Sequence, residues 1–181
     1  MTRRVALLRG INLGSHKKVL MAQLRELATD LGLDDPATYV QSGNLVFDTD
    51  LAESEVVSLL EAGLADRFGF EIPVISRSAD EIQRVANGHP LSHLELDDRL
   101  LQVAFMDREP AEDVVDLIDP DGYDPDEYVW EGREIYIAYP KGSGRSKLNH
   151  GLLERRLSVA VTLRNWRTVT KLAEMAASRD D

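Results

Sequence analysis

Between Arg4 and Arg9 lie Val5-Ala6-Leu7-Leu8, four consecutive apolar residues that do not alternate with polar ones. A run this short and continuous reads as a strand covered on both faces, since a solvated face would put a polar residue at every second position. Such a strand belongs inside a sheet, so the rest of the chain must supply neighbouring strands and covering layers. The segments that follow do so in a definite order. The loop Gly10-Ile11-Asn12-Leu13-Gly14-Ser15-His16-Lys17-Lys18 leads to Leu20, Leu24, Leu27, Ala28 and Leu31 at helical spacing, with Gly32 as the stop. Tyr39 to Gln41 and Leu45 to Phe47 flank Ser42-Gly43-Asn44, which has the chemistry of a tight hairpin turn. Val56, Leu59, Leu60, Leu64 and Phe68 mark a second helix, and Ile72 to Ile75 a strand whose Pro73 suits a sheet edge. The order βαββαβ predicts a ferredoxin-like lobe with its first strand internal and its last at an edge.

A short helix over Ala79 to Ala86 closes this lobe at residues 1–86, and Asn87-Gly88-His89-Pro90 opens a linker over 87–98. The second lobe, 99–181, begins with a strand at Leu100 to Met106 and an acidic helix from Ala111 to Ile118. A hairpin follows, Tyr128 to Trp130 and Ile135 to Tyr139 around Glu131-Gly132. The β, α, β, β order recurs, as an echo of topology rather than of sequence. After it come the loop from Lys141 to Lys147, a helix carrying Leu148, Leu152, Leu153 and Leu157, and a last helix from Asn165 to Ala177. The expectation is an α+β protein: a ferredoxin-like βαββαβ lobe followed by a βαββ-αα lobe.

The 181 residues carry a net charge of −11, which opposes a general nucleic-acid binder. The charge is unevenly spread. Residues 1–25 hold six Lys and Arg and no acid, and residues 141–171 hold eight against Glu154 alone. There is no cysteine, which removes disulfides, thiolate metal sites and cysteine nucleophiles and fits a reducing cytoplasm. No apolar run nears the ~20 residues of a membrane span, and Val5–Leu8 is too short for a secretory signal, so no membrane role is expected.

Each basic island starts at a strand end, passes through a glycine-bearing loop and enters a helix, an arrangement suited to an anion. Neither loop has the Walker A spacing, which argues against a P-loop ATPase or GTPase. Arg164 and Arg167 beside the start of the last helix oppose its macrodipole unless an anion or a carboxylate sits between them. Asn165 suits the N-cap, and Trp166 either stacks on a ligand or packs in the core. His89 and His93 with Glu95, Asp97 and Asp98 superficially resemble a metal cluster, but Pro90 breaks the helix that would align them, and no metal is expected. Ser42 has no G-x-S-x-G elbow and no ordered Ser/Asp/His set in the sequence, and the acidic stretch from Asp107 to Glu127 reads as a solvated face. No general base stands out, so neither a reaction nor a cofactor is assigned.

Three blocks together, Leu7-Leu8-Arg9-Gly10-Ile11-Asn12-Leu13-Gly14, Tyr39-Val40-Gln41-Ser42-Gly43-Asn44 and Thr162-Leu163-Arg164-Asn165-Trp166-Arg167-Thr168-Val169, resemble the domain-of-unknown-function family 1697 over essentially the whole chain. The resemblance implies a bacterial-type cytosolic protein of two α+β lobes and brings no catalytic residue with it. This chain continues Gly14-Ser15-His16 where the family pattern is richer in glycine.

The reading that follows is a binder of a small anionic ligand, phosphate-bearing or a nucleotide, in a basic cleft between the lobes. Arg9, Lys17, Arg145, Lys147 and Arg164 supply charge, Asn12, Ser42 and Asn44 directional hydrogen bonds, and Trp166 either stacking or support, with Asn165 counted among the ligand-binding residues. The alternative is a non-enzymatic nucleic-acid or protein-interaction module. A third reading pairs the cations internally with the acidic surplus.

Overall fold

The apolar run is the core of strand β1 (Thr2–Leu8), with both faces buried from Val5 to Leu8. The computed structural model describes residues 1–119 and 121–178. They fall into two units, Met1–Arg84 together with the residues from Lys171 onward, and Val85–Thr170. The protein is α+β, each unit built on one four-stranded antiparallel sheet.

In the first unit β1 is followed by α1 (Met21–Asp30), β2 (Asp34–Tyr39), β3 (Asn44–Thr49), α2 (Glu53–Phe68) and β4 (Val74–Ser78), in sheet order β2-β3-β1-β4. Ala6, Leu8, Leu45 and Phe47 from the sheet pack with Leu24, Leu27 and Ala28 of α1 and Val56, Leu60 and Leu64 of α2. Two strands sit a few residues away from where apolar content alone puts them. β2 takes in Asp34-Asp35-Pro36 because it is an edge strand, where a proline costs no ladder bond, and Arg3 draws the segment in by pairing with Asp35 at 2.6 Å and Asp48 at 3.2 Å. β4 starts after Pro73, whose carbonyl accepts the Arg9 N–H at 2.9 Å.

The second unit contains β5 (Leu101–Met106), α4 (Glu112–Val115), β6 (Glu127–Glu131), β7 (Glu134–Ala138), α5 (His150–Leu157) and β8 (Val161–Asn165), in sheet order β6-β7-β5-β8. Helix α3 (Ala79–Ala86) follows β4, and helix α6 (Trp166–Ala177) follows β8. Sequence reading did not mark β8. It lies between the two last helices and pairs with β5 from Gln102–Asn165 to Met106–Val161. Its presence turns the echo between the units into a structural repeat.

The repeat extends to individual hydrogen bonds. Val5 of β1 stands opposite Val46 and Arg77, and Val103 of β5 opposite Tyr136 and Arg164. The Leu8 N–H donates to the Gly43 carbonyl at 2.8 Å, and the Met106 N–H to Arg133 at 2.9 Å. The Arg9 N–H reaches Pro73 at 2.9 Å, and the Asp107 N–H reaches Ala160 at 3.1 Å. Glu61 of α2 accepts from the Val74 N–H at 2.9 Å, and Glu154 of α5 from the Val161 N–H at 3.0 Å. Arg77 and Arg164, both buried, each turn Nη1 onto the preceding residue's carbonyl at 2.8 Å. Each arginine is followed by a polar cap of the next helix: Ser78 shares reciprocal bonds with Glu81, and Asn165 Oδ1 accepts from the Thr168 N–H.

Candidate functional site

Against this repeat the second unit departs in two places. The connection from β3 to α2 is Asp50 to Ala52, whereas that from β7 to α5 runs from Tyr139 to Asn149 and carries Lys141, Arg145 and Lys147. Helix α1 passes to β2 through Leu31 to Leu33, whereas the four-residue α4 leaves a long acidic loop before β6. Function is usually carried on loops grafted onto a regular scaffold. Here the two departures meet: residues 122–126 and Lys141, Gly142, Arg145, Ser146 and Lys147 line one cavity of about 380 Å³.

The basic loop is held in shape before any ligand arrives. Tyr139, fully buried, donates its hydroxyl to the Leu148 carbonyl at 2.6 Å and so ties the start of the loop to its end. Burial, chiefly, raises the Tyr139 phenol, with Asp126 adding to it. Gly142 turns the chain at φ 83° and ψ 153°, a region essentially closed to side-chain-bearing residues. Ser146 donates to Asp126 Oδ2 at 2.6 Å, joining the basic loop to the acidic one, and accepts from the Leu148 N–H at 2.9 Å. Asn149 caps α5 through the Leu152 N–H, and Gln102 Nε2 reaches Ser143 Oγ at 3.4 Å. Arg145, Lys141 and Lys147 remain exposed. A fixed backbone presenting three cations at a concave surface can hold an anion without first paying the entropy of ordering the loop.

Of the residues singled out from sequence, Arg145 and Lys147 line this cavity; Lys141, Tyr123 and Asp124 line it too and were not singled out. The acidic stretch holding Tyr123 and Asp124 has the composition of a solvated face, and only the fold places it opposite the basic loop. Arg164, Asn165 and Trp166 lie at the junction of β8 and α6. Arg164 belongs to the strand rather than the helix; it is buried and donates Nη1 to Thr162 Oγ1 at 2.7 Å. Burial pushes its guanidinium down to about 10, which leaves it charged at neutral pH. Trp166 is half-buried against Leu91, Leu101 and Ala138, edge-on to His89 with ring centroids 5.2 Å apart.

The remaining candidates belong to the first unit. Asn12 spends its amide on the Val19 and Gln41 carbonyls and its oxygen on the Val19 N–H, so it fastens the first basic loop to the hairpin turn. Asn44, fully buried, donates to the Tyr39 carbonyl and to Ser42 Oγ, shaping that turn from within. Gly43 is required between them: at φ 79° a Cβ would lie 2.7 Å from the Leu8 Cβ. Lys17 donates Nζ to the Glu71 carbonyl at 2.9 Å and lies 5.8 Å from the Phe70 ring centre. Arg9 is half-buried at the end of β1. Part of this island is internally paired, as Arg3 is to Asp35 and Asp48 and Arg4 is to Glu53. Among the described residues no group of histidines and carboxylates is placed to hold a metal ion, and no helix is long and apolar enough to cross a membrane.

Residues 1–136 match the model of a family described as protein of unknown function (DUF1697). Among solved structures the chain is similar to a conserved bacterial protein, SP0830 from Streptococcus pneumoniae. The two are 24% identical with a TM-score of 0.78, over 98% of this chain and 99% of that one. That likeness bears on the fold. No curated protein matches the chain.

Proposed function

We propose, from the premise that the chain belongs to the DUF1697 family, that it binds a small phosphate-bearing anion in the cavity between residues 122–126 and 141–147. The observation that carries this reading is the preorganised loop with Lys141, Arg145 and Lys147 around a concavity of ligand size. The sheet order β2-β3-β1-β4 further supports reading the first unit as ferredoxin-like. Neither feature assigns a reaction, and the proposal is one of binding.

Thermal unfolding against nucleotides, sugar phosphates, polyphosphates and short oligonucleotides tests it. A ligand at a hundred times its Kd stabilises by about 2.7 kcal/mol. The expected result is an upward shift in Tm from a small phosphate compound that disappears in Arg145→Ala, and no shift from any compound overturns the reading.

A second reading, an interaction module, draws on a different surface. Leu13, Leu20 and Val40 are 64%, 60% and 49% exposed beside His16, Lys17 and Lys18, on loops that Asn12 holds together. Oligonucleotide binding whose logarithm falls with log salt by roughly 0.7–0.9 per phosphate contacted would favour it.

A further inference from the structure

The two walls of the cavity are chemically opposite. One carries Lys141, Arg145 and Lys147, and the other Tyr123, Asp124 and Asp126. Asp126 is anchored at the seam by the Ser146 hydroxyl at 2.6 Å, so the acidic wall is held to the basic one. Resting on the anion-site reading above, we infer that the cavity selects a phosphate monoester with a hydroxyl-bearing body, a sugar phosphate or a nucleoside monophosphate, over a bare polyanion, and that Asp124 determines this choice.

The argument is one of charge and hydrogen-bonding capacity. An ionised carboxylate only accepts hydrogen bonds, so it holds hydroxyl or amino groups and repels a second phosphate. Acidic side chains engage ribose hydroxyls in this way in dinucleotide-binding folds. A polyphosphate or nucleic-acid backbone reaching both walls would satisfy the cations at the cost of facing Asp124. A monoester places its phosphate against Arg145 and the lysines and turns its hydroxyls to the carboxylate. Tyr123 adds a partly buried ring and hydroxyl on the same side. The volume of about 380 Å³ lies toward the small end of ligand sites, which suits one monomeric metabolite rather than a polymer.

Calorimetric titration of the full chain with ribose 5-phosphate and with inorganic pyrophosphate, in the wild type, Asp124→Asn and Arg145→Ala, tests this. The expected result is wild-type preference for ribose 5-phosphate by roughly tenfold or more, with the preference collapsing in Asp124→Asn as pyrophosphate binding tightens. Equal affinities in the wild type, or a ratio unchanged in Asp124→Asn, overturns the inference; if pyrophosphate binding is nonetheless lost in Arg145→Ala, the anion site itself stands. Failure of both ligands to bind the wild type overturns the site and the inference together. Asp124 is exposed and asparagine matches its shape, and an unchanged unfolding curve confirms that the variant is folded.

Discussion

Arg164 and Arg145 show how the same side chain divides between scaffold and surface. Arg164 is 6% exposed and bonded to Thr162 Oγ1 and the Leu163 carbonyl, so Arg164→Ala strands buried acceptors and opens a void. It is expected to cost about 3 kcal/mol in denaturant unfolding, against less than about 0.5 kcal/mol for the exposed Arg145→Ala. His89 links stability to pH. It is buried, its Nδ1 accepts from the Leu91 N–H, its Nε2 lies 3.1 Å from the Gln102 carbonyl, and Tyr136 and Trp166 present ring edges or faces to it. The Leu91 bond fixes the neutral tautomer with its proton on Nε2, and burial lowers the imidazole from its ordinary value of 6.5, with the Gln102 bond partly opposing. The unfolded chain therefore takes up the proton more readily than the folded one. The His89 contribution to stability is whole above about pH 6.5 and is lost as pH falls below that toward the lowered folded value. Denaturant unfolding between pH 8 and pH 5 is expected to fall less steeply in His89→Phe than in the wild type; equal slopes would remove His89 as the source.

At the scale of elements, Glu61 and Glu154 occupy the same place in the two units, each accepting the first N–H of the closing strand. Glu61→Ala and Glu154→Ala should each cost about 1–3 kcal/mol, and each glutamine variant, which keeps an acceptor oxygen, should recover most of it in the same unfolding assay. What could be read from sequence at this scale follows the strength of local signals. β1, α1, α2, α3 and the two hairpins carry apolar period or turn chemistry strong enough to name them. β8 escapes because its five residues include Arg164 and Asn165 and stand between two helical patterns, so its strand character comes from the partner β5 rather than from itself. α4 stops at Val115, short of the reading to Ile118. The basic loop of the candidate site was legible through its glycines and cations. Its acidic counterpart was not, because what brings residues 122–126 to it is the return of the chain through β6 and β7.

At the scale of the whole molecule, the first unit is made from two stretches of chain, Met1–Arg84 and the residues from Lys171 onward. Both tryptophans, Trp130 and Trp166, lie in the other unit, so tryptophan fluorescence follows that unit while far-UV circular dichroism follows both. Truncation after Thr170 is expected to lower the dichroism transition more than the fluorescence transition; equal displacement would show that the removed segment matters equally to both units. The discontinuity also bears on synthesis. During translation the first 84 residues emerge well before Lys171, and at about 5–20 residues per second the interval is roughly 4–17 s. For that time the nascent β1 to β4 sheet lacks the segment carrying Leu172, Ala173 and Ala176, which are buried in the finished protein. The first unit, begun before the second, is therefore completed only after it, and that wait on the ribosome is when a chaperone has most to bind.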